Sequence, residues 1–108
     1  ACVDSIPTYA NKEDHVPMGT ISARKCREVI KNTQHVIAIE LLCSAQALDL
    51  FTNLKPGEGT YAAYESIREH ISHMESDRIL SEDIRKIMQL LNNGEILNAV
   101  ESRIGPLN

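Results

Sequence analysis

An all-α fold is predicted: a long central helix followed by shorter C-terminal helices. Three observations predict it. Residues 21–50 contain neither Pro nor Gly. Beyond residue 60 the apolar residues recur at three- and four-residue spacing, the period of a helix face. No stretch carries a sheet signal.

The long helix organises the chain. At about 1.5 Å per residue, its thirty or so residues make a rod of roughly 45 Å. Its first half is amphipathic. Ile21, Cys26, Val29 and Ile30 lie near one face, and Arg24, Lys25, Arg27, Glu28 and Lys31 supply charge elsewhere. In the second half Glu40 is the only charged residue between Val36 and Leu48. Val36, Ile37, Ile39, Leu41, Leu42, Ala45, Ala47 and Leu48 point all round the axis, the pattern of a helix buried on every side. Small residues (Ala38, Cys43, Ser44, Ala45, Ala47) suit close approach of neighbouring helices. A carboxylate in that setting must be paired or functional, and pairing is the commoner case for Glu40.

Ahead of the rod, residues 1–10 read as an irregular lead-in, with Pro7 pushing Ile6 toward extended backbone. The polar cluster Asn11, Lys12, Glu13, Asp14, His15 follows. Asp14 is a plausible N-cap and Pro17 suits a first helical turn, so the helix begins between Asp14 and Thr20. After the rod, residues 51–59 form a break rich in turn formers. Thr60 is expected to cap a second helix over about 61–72, with Tyr61, Tyr64, Ile67, Ile71 and Met74 as its buried stripe. Ser81 is expected to cap a third, with Glu82 and Asp83 favoured by the dipole and Ile84, Ile87, Met88 and Leu91 facing inward. Asn93-Gly94 ends it. A fourth helix runs over about 95–102 before Gly105-Pro106 stops it.

These later helices are short and can cover one side of the rod at most. With aromatics at 4% of the residues, large side chains are not available to fill the gap. The rod's remaining apolar surface therefore implies that the chain self-associates or belongs to a larger helical assembly.

Composition narrows the partners. The 108 residues allow one domain at most, and 43% apolar content is ordinary for a globular protein. A net charge of -4 without any basic run argues against nucleic acid. No stretch reaches the length of a membrane span, and the N-terminus has no signal-peptide pattern. Cys2, Cys26 and Cys43 have neither metal-site nor disulfide spacing, which fits a reducing, cytoplasmic setting.

Four groups are candidates for chemistry. Gly57-Glu58-Gly59-Thr60-Tyr61-Ala62 fits a loose dinucleotide pattern with Asp77 downstream, but no strand precedes it, and a loop between helices explains the glycines. His70 and His73 are three apart, with Glu69 four before His73; one helix face would carry them, but no third metal ligand is identifiable and no metal is expected. Cys26 and Cys43 sit inside the long helix, where Cys is commonly a small buried hydrophobe. The cluster from Asn11 to His15 is the best candidate. It places an amide, a cation, two carboxylates and an imidazole where a loop meets a rigid helix, and partial desolvation there would tune a carboxylate for acid–base work. A solvated capping turn is the plainer reading of the same residues.

At this cluster the sequence resembles a known family. Val3-Asp4-Ser5-Ile6-Pro7-Thr8 and Ala10-Asn11-Lys12-Glu13-Asp14-His15-Val16-Pro17-Met18-Gly19 closely resemble histidine ammonia-lyase. The likeness continues through Ala23-Arg24-Lys25, Ala38-Ile39-Glu40-Leu41-Leu42 and Ala45-Gln46-Ala47-Leu48-Asp49-Leu50, and returns at Asp77-Arg78 and Glu82-Asp83-Ile84. Related phenylalanine and tyrosine lyases carry Gln at the position of Glu13. The family usually has Gln where this chain has Lys12.

The resemblance implies a helical superbundle of which these residues form the C-terminal part: 1–16 an active-site lead-in, 17–50 the long buried helix and 60–104 the shorter helices. It implies elimination of ammonia from L-histidine to give urocanate by a cytoplasmic homotetramer. The electrophile is a methylidene-imidazolone formed from the family's own Ala-Ser-Gly, a tripeptide absent here. Of the family's catalytic residues, Glu13 alone is placed, facing the substrate imidazole and amine. These residues by themselves are then expected to be inactive, with Asp14 and His15 structural. The alternative is a non-catalytic helical oligomerisation module.

Overall fold

The computed structural model describes residues 6, 8–12, 16–51 and 53–107. Two units divide it, Ala1–Thr33 and Gln34–Asn108. A 3-10 turn, Tyr9–Asn11, is followed by four helices: α1 (Gly19–Leu50), α2 (Glu58–Arg68), α3 (Leu80–Asn92) and α4 (Glu95–Ile104). The fold is all-α, and no strand forms among the described residues.

The rod is α1. Its ladder opens with the Ser22 amide donating to Met18 O at 3.0 Å, so Pro17 lies before the helix rather than in its first turn. Thr33, β-branched and mid-helix, satisfies its hydroxyl by donating to Val29 O at 2.9 Å. The expected Asp14 cap lies outside the described residues.

The second helix runs Glu58–Arg68, not 61–72. Gly57 occupies the N-cap in extended backbone, and Thr60 sits inside the first turn. At the other end the Ile71 amide still reaches Ile67 O at 2.9 Å. Beyond it, guanidinium groups take the carbonyls that a continuing helix would use. Arg68 donates to Ile71 O and Ser72 O, and Arg78 donates to Ser72 O and His73 O. The third helix likewise begins before its expected cap: Ile79 is the N-cap without any side-chain bond, and Ser81 lies within the helix. What ties that corner is Arg78 Nε donating to buried Asp83 Oδ2 at 2.8 Å. Gly94, left-handed at φ 70°, turns the chain between α3 and α4 as expected. The fourth helix continues to Ile104, and Gly105, at φ 88°, ends it.

Unit Gln34–Asn108 holds the core. Ile67, Ile71 and Ile87 are fully buried, joined by Ala38 and Ala45 of α1, Leu90 of α3 and Ile96 of α4. Leu41, Leu42, Tyr64, Ile84, Met88 and Leu91 pack against them. Spacings of seven between Ala38 and Ala45, with Leu41 and Leu42 between, give one seam along α1. Off that seam Val36, Ile37 and Ile39 are 63%, 41% and 45% exposed within this chain. The later helices therefore cover one face only, as their length implies.

Three expectations change. Glu40 is exposed rather than buried and paired, because it lies off the covered seam. Cys26 and Cys43 are exposed free thiols rather than buried hydrophobes; Cys43, like Glu40, lies off the seam. Gly59 is no loop glycine: it lies inside α2, and a Cβ built on it would stand 2.9 Å from Ile104 Cδ1 and 3.6 Å from Val100 Cγ1. The missing side chain lets α2 and α4 approach.

Candidate functional site

The sequence places its candidate catalytic residue, Glu13, next to the 3-10 turn. Glu13, Asp14 and His15 lie outside the described residues; Asn11 and Lys12 lie within them. The turn itself is unusual. Tyr9, Ala10 and Asn11 all have positive φ, at 36°, 53° and 63°. Asn tolerates this region; for Ala or Tyr it costs about 1–2 kcal/mol per residue. Two backbone bonds hold the turn, Asn11 N to Thr8 O at 3.1 Å and Lys12 N to Tyr9 O at 3.0 Å. A left-handed turn immediately ahead of the candidate acid–base residue is the kind of strained backbone that clusters at functional sites.

A second polar constellation was not singled out in the sequence. Asp49, on the last turn of α1, accepts three hydrogen bonds. Tyr64 OH donates to Oδ1 at 2.5 Å; Arg68 Nη2 and His73 Nδ1 both stand 2.6 Å from Oδ2. A carboxylate only accepts, so His73 carries its proton on Nδ1. Its Nε2 then accepts from the Gln46 amide at 3.3 Å. Gln46 completes the network, donating to Met74 O and accepting from Met74 N and Arg68.

Burial pushes the Asp49 carboxyl upward, but the bonds from Tyr64, His73 and Arg68, with the Arg68 charge, outweigh it and hold it below its ordinary 3.8. The Tyr64 phenol is raised above 10.0, first by its bond to Asp49 and then by burial. A carboxylate so saturated, facing a phenol that resists ionisation, is poorly suited to proton transfer. The network fastens the end of α1 to the segment after α2. Asp49 also lines a cavity of about 590 Å³, walled by Leu54, Pro56 and the stacked rings of Tyr61 and Tyr64, whose centroids are 6.0 Å apart.

The other candidates separate. His73 turns to Asp49, whereas His70 Nε2 pairs with Glu95 Oε1 at 2.8 Å, so the two histidines do not share a ligand. The glycine-rich segment forms the N-cap and first turns of α2 and packs on α4 through Gly59, and no strand precedes it among the described residues, as a nucleotide reading would need. No helix among the described residues is long and apolar enough to cross a membrane.

Comparison with known proteins places the chain. Residues 1–69 match the family Aromatic amino acid lyase. Histidine ammonia-lyase of Gloeobacter violaceus is 54% identical over 107 residues, which are 99% of this chain and 21% of that protein. The enzyme of Symbiobacterium thermophilum is 51% identical with the same coverage. Among solved structures, histidine ammonia-lyase from Trypanosoma cruzi superposes with a TM-score of 0.83 at 38% identity, over 94% of this chain and 20% of that one. Tyrosine aminomutase from Streptomyces globisporus superposes at 0.81 with 33% identity, over 95% and 20%. This chain belongs to the aromatic amino acid lyase family. It spans about a fifth of the length of these relatives.

Proposed function

We propose that these residues are part of a histidine ammonia-lyase. They would supply its acid–base glutamate, Glu13, and a long scaffold helix, α1. The observation that carries this is 54% identity to such an enzyme across 99% of the chain; among the solved structures the histidine ammonia-lyase is 38% identical and the aminomutase 33%. The reaction releases ammonia from L-histidine and leaves urocanate. Glu13 would accept a hydrogen bond from the substrate imidazole or amine and hold a proton during elimination. The strained turn at Tyr9–Asn11 would fix the backbone entering that residue.

The methylidene-imidazolone electrophile is not built from these residues, which contain no Ala-Ser-Gly. It would come from elsewhere in a longer polypeptide, so the 108 residues alone should not turn over histidine. The exposed apolar residues Val29, Ile30, Val36 and Ile39 give α1 surface for further helices, as a homotetramer would use; a cytoplasmic setting belongs to the same reading.

The test is Glu13→Gln in the polypeptide at its natural length. Turnover of L-histidine, followed by urocanate absorbance, should fall by at least about a hundredfold, in the range of general acid–base contributions, while the oligomer stays assembled. Unchanged kinetics would remove Glu13 from the active site. The rival, a non-catalytic oligomerisation module, is favoured by the same bare helix faces. It wins if the reading frame encodes no Ala-Ser-Gly upstream.

A further inference from the structure

Where α2 gives way to its C-terminal turn, three ligating groups converge that neither the lyase chemistry nor the Asp49 network uses. Glu69 and His70 follow the last turn of α2, and Glu95 opens α4. One donor atom from each lies within 4.8 Å of the others. His70 Nε2 and Glu95 Oε1 are already 2.8 Å apart. We propose that Glu69, His70 and Glu95 form a divalent-cation site for ions of the zinc class.

The geometry needs little change. Ligand bonds of about 2.0–2.2 Å require donors roughly 3–3.5 Å apart around a tetrahedral ion. The His70–Glu95 contact at 2.8 Å must open slightly, and Glu69, within 4.8 Å of both, must settle to that spacing. Both His70 and Glu95 are roughly two-fifths exposed, so their side chains are free to make that adjustment. His70 would exchange its hydrogen bond to Glu95 for a bond from the Nε2 lone pair to the ion. An imidazole with two carboxylates suits zinc or cobalt better than magnesium, which prefers all-oxygen sites.

Charge agrees. Glu69 and Glu95 together carry two negative charges, matched by one dication. The nearby carboxylate of Glu65 is already taken by Arg103 at 2.8 Å and so stays outside the ligand set. Glu69 and Glu95 also line one groove of about 420 Å³. A surface ion pair between His70 and Glu95 does not account for the third ligand.

The experiment is calorimetric titration of Zn²⁺ into the chelator-stripped protein at its natural length, with Co²⁺ and its visible absorption as a second probe. Wild type should show a site that His70→Ala and Glu95→Gln each weaken by at least about tenfold. Glu65→Gln should keep it. All three groups are on the surface, so thermal melting of the variants should match wild type without metal. The proposal is overturned if wild type binds no Zn²⁺, if His70→Ala binds as wild type does, or if Glu65→Gln loses the ion as fully as Glu95→Gln. That last result would mean diffuse acidity rather than a ligand set.

Discussion

Asp49 Oδ2 and Arg68 Nη2 stand 2.6 Å apart, their side chains 13% and 14% exposed, and this pair joins the end of α1 to the end of α2. Removing the carboxylate strands a nearly buried guanidinium together with Tyr64 and His73. Asp49→Asn should therefore cost about 2–4 kcal/mol. Because the Asp49 pKa is lowered on folding, its contribution is present above the ordinary carboxylate value of 3.8 and is lost as pH falls below it. Melting temperature against pH should show wild type and Asp49→Asn well separated at neutrality and converging below about pH 4. Curves that stay parallel through that range would show that the charge of Asp49 is not what holds the corner.

Gly59 sets the spacing of α2 and α4. Alanine there would clash only with Ile104 Cδ1, the far end of a half-exposed side chain that can rotate away, and would touch Val100 Cγ1 at ordinary contact distance. Glycine inside a helix costs about 0.5–1 kcal/mol relative to alanine. These effects nearly cancel, so Gly59→Ala should be close to neutral by denaturant titration. Gly59→Leu cannot be absorbed and should cost about 1–3 kcal/mol. Ile104→Ala in the same chain should recover part of that loss. If it recovers none, the clash is not with Ile104.

The extent of α1 was legible because neither Pro nor Gly interrupts it, and its excess apolar surface followed from counting what the short helices can cover. Helix ends were less legible. Thr60 and Ser81 are cap-type residues, yet neither caps, because Gly57 and Ile79 are the residues that leave the helix. The Asp49 network could not be read at all. Its members come from sequence positions up to 28 apart, and no motif links them; a separation of 25 likewise hides Glu95 from His70. An acidic residue at the end of an apolar helix marks Asp49 in the sequence, but nothing there names its partners. Glu13 was singled out by resemblance, since composition alone favours a solvated capping turn there.

Ala38 is fully buried at the seam of α1, and Ala47, two turns on, is exposed. The same change at both sites separates packing from helix propensity, because Ala and Leu are both strong helix formers. Ala38→Leu forces extra volume between α1 and the isoleucine core and should lower stability by about 1–3 kcal/mol. Ala47→Leu should be nearly silent if its face is bare in the natural-length protein. Equal losses at both sites, read from thermal melts, would show that another helix covers Ala47 there.

Ala10 holds φ 53° and ψ 36° two residues before Lys12 and three before Glu13. Glycine adopts that conformation without penalty, whereas a β-branched residue there is a genuine outlier. On the proposed lyase reading, Ala10→Gly should keep urocanate formation near wild type. Ala10→Val adds strain of about 1–2 kcal/mol to the backbone that carries Glu13. If that strain displaces Glu13 in the transition state, turnover should fall by roughly tenfold, the equivalent of about 1.4 kcal/mol. Wild-type kinetics in Ala10→Val, with the protein folded, would disconnect the left-handed turn from the chemistry.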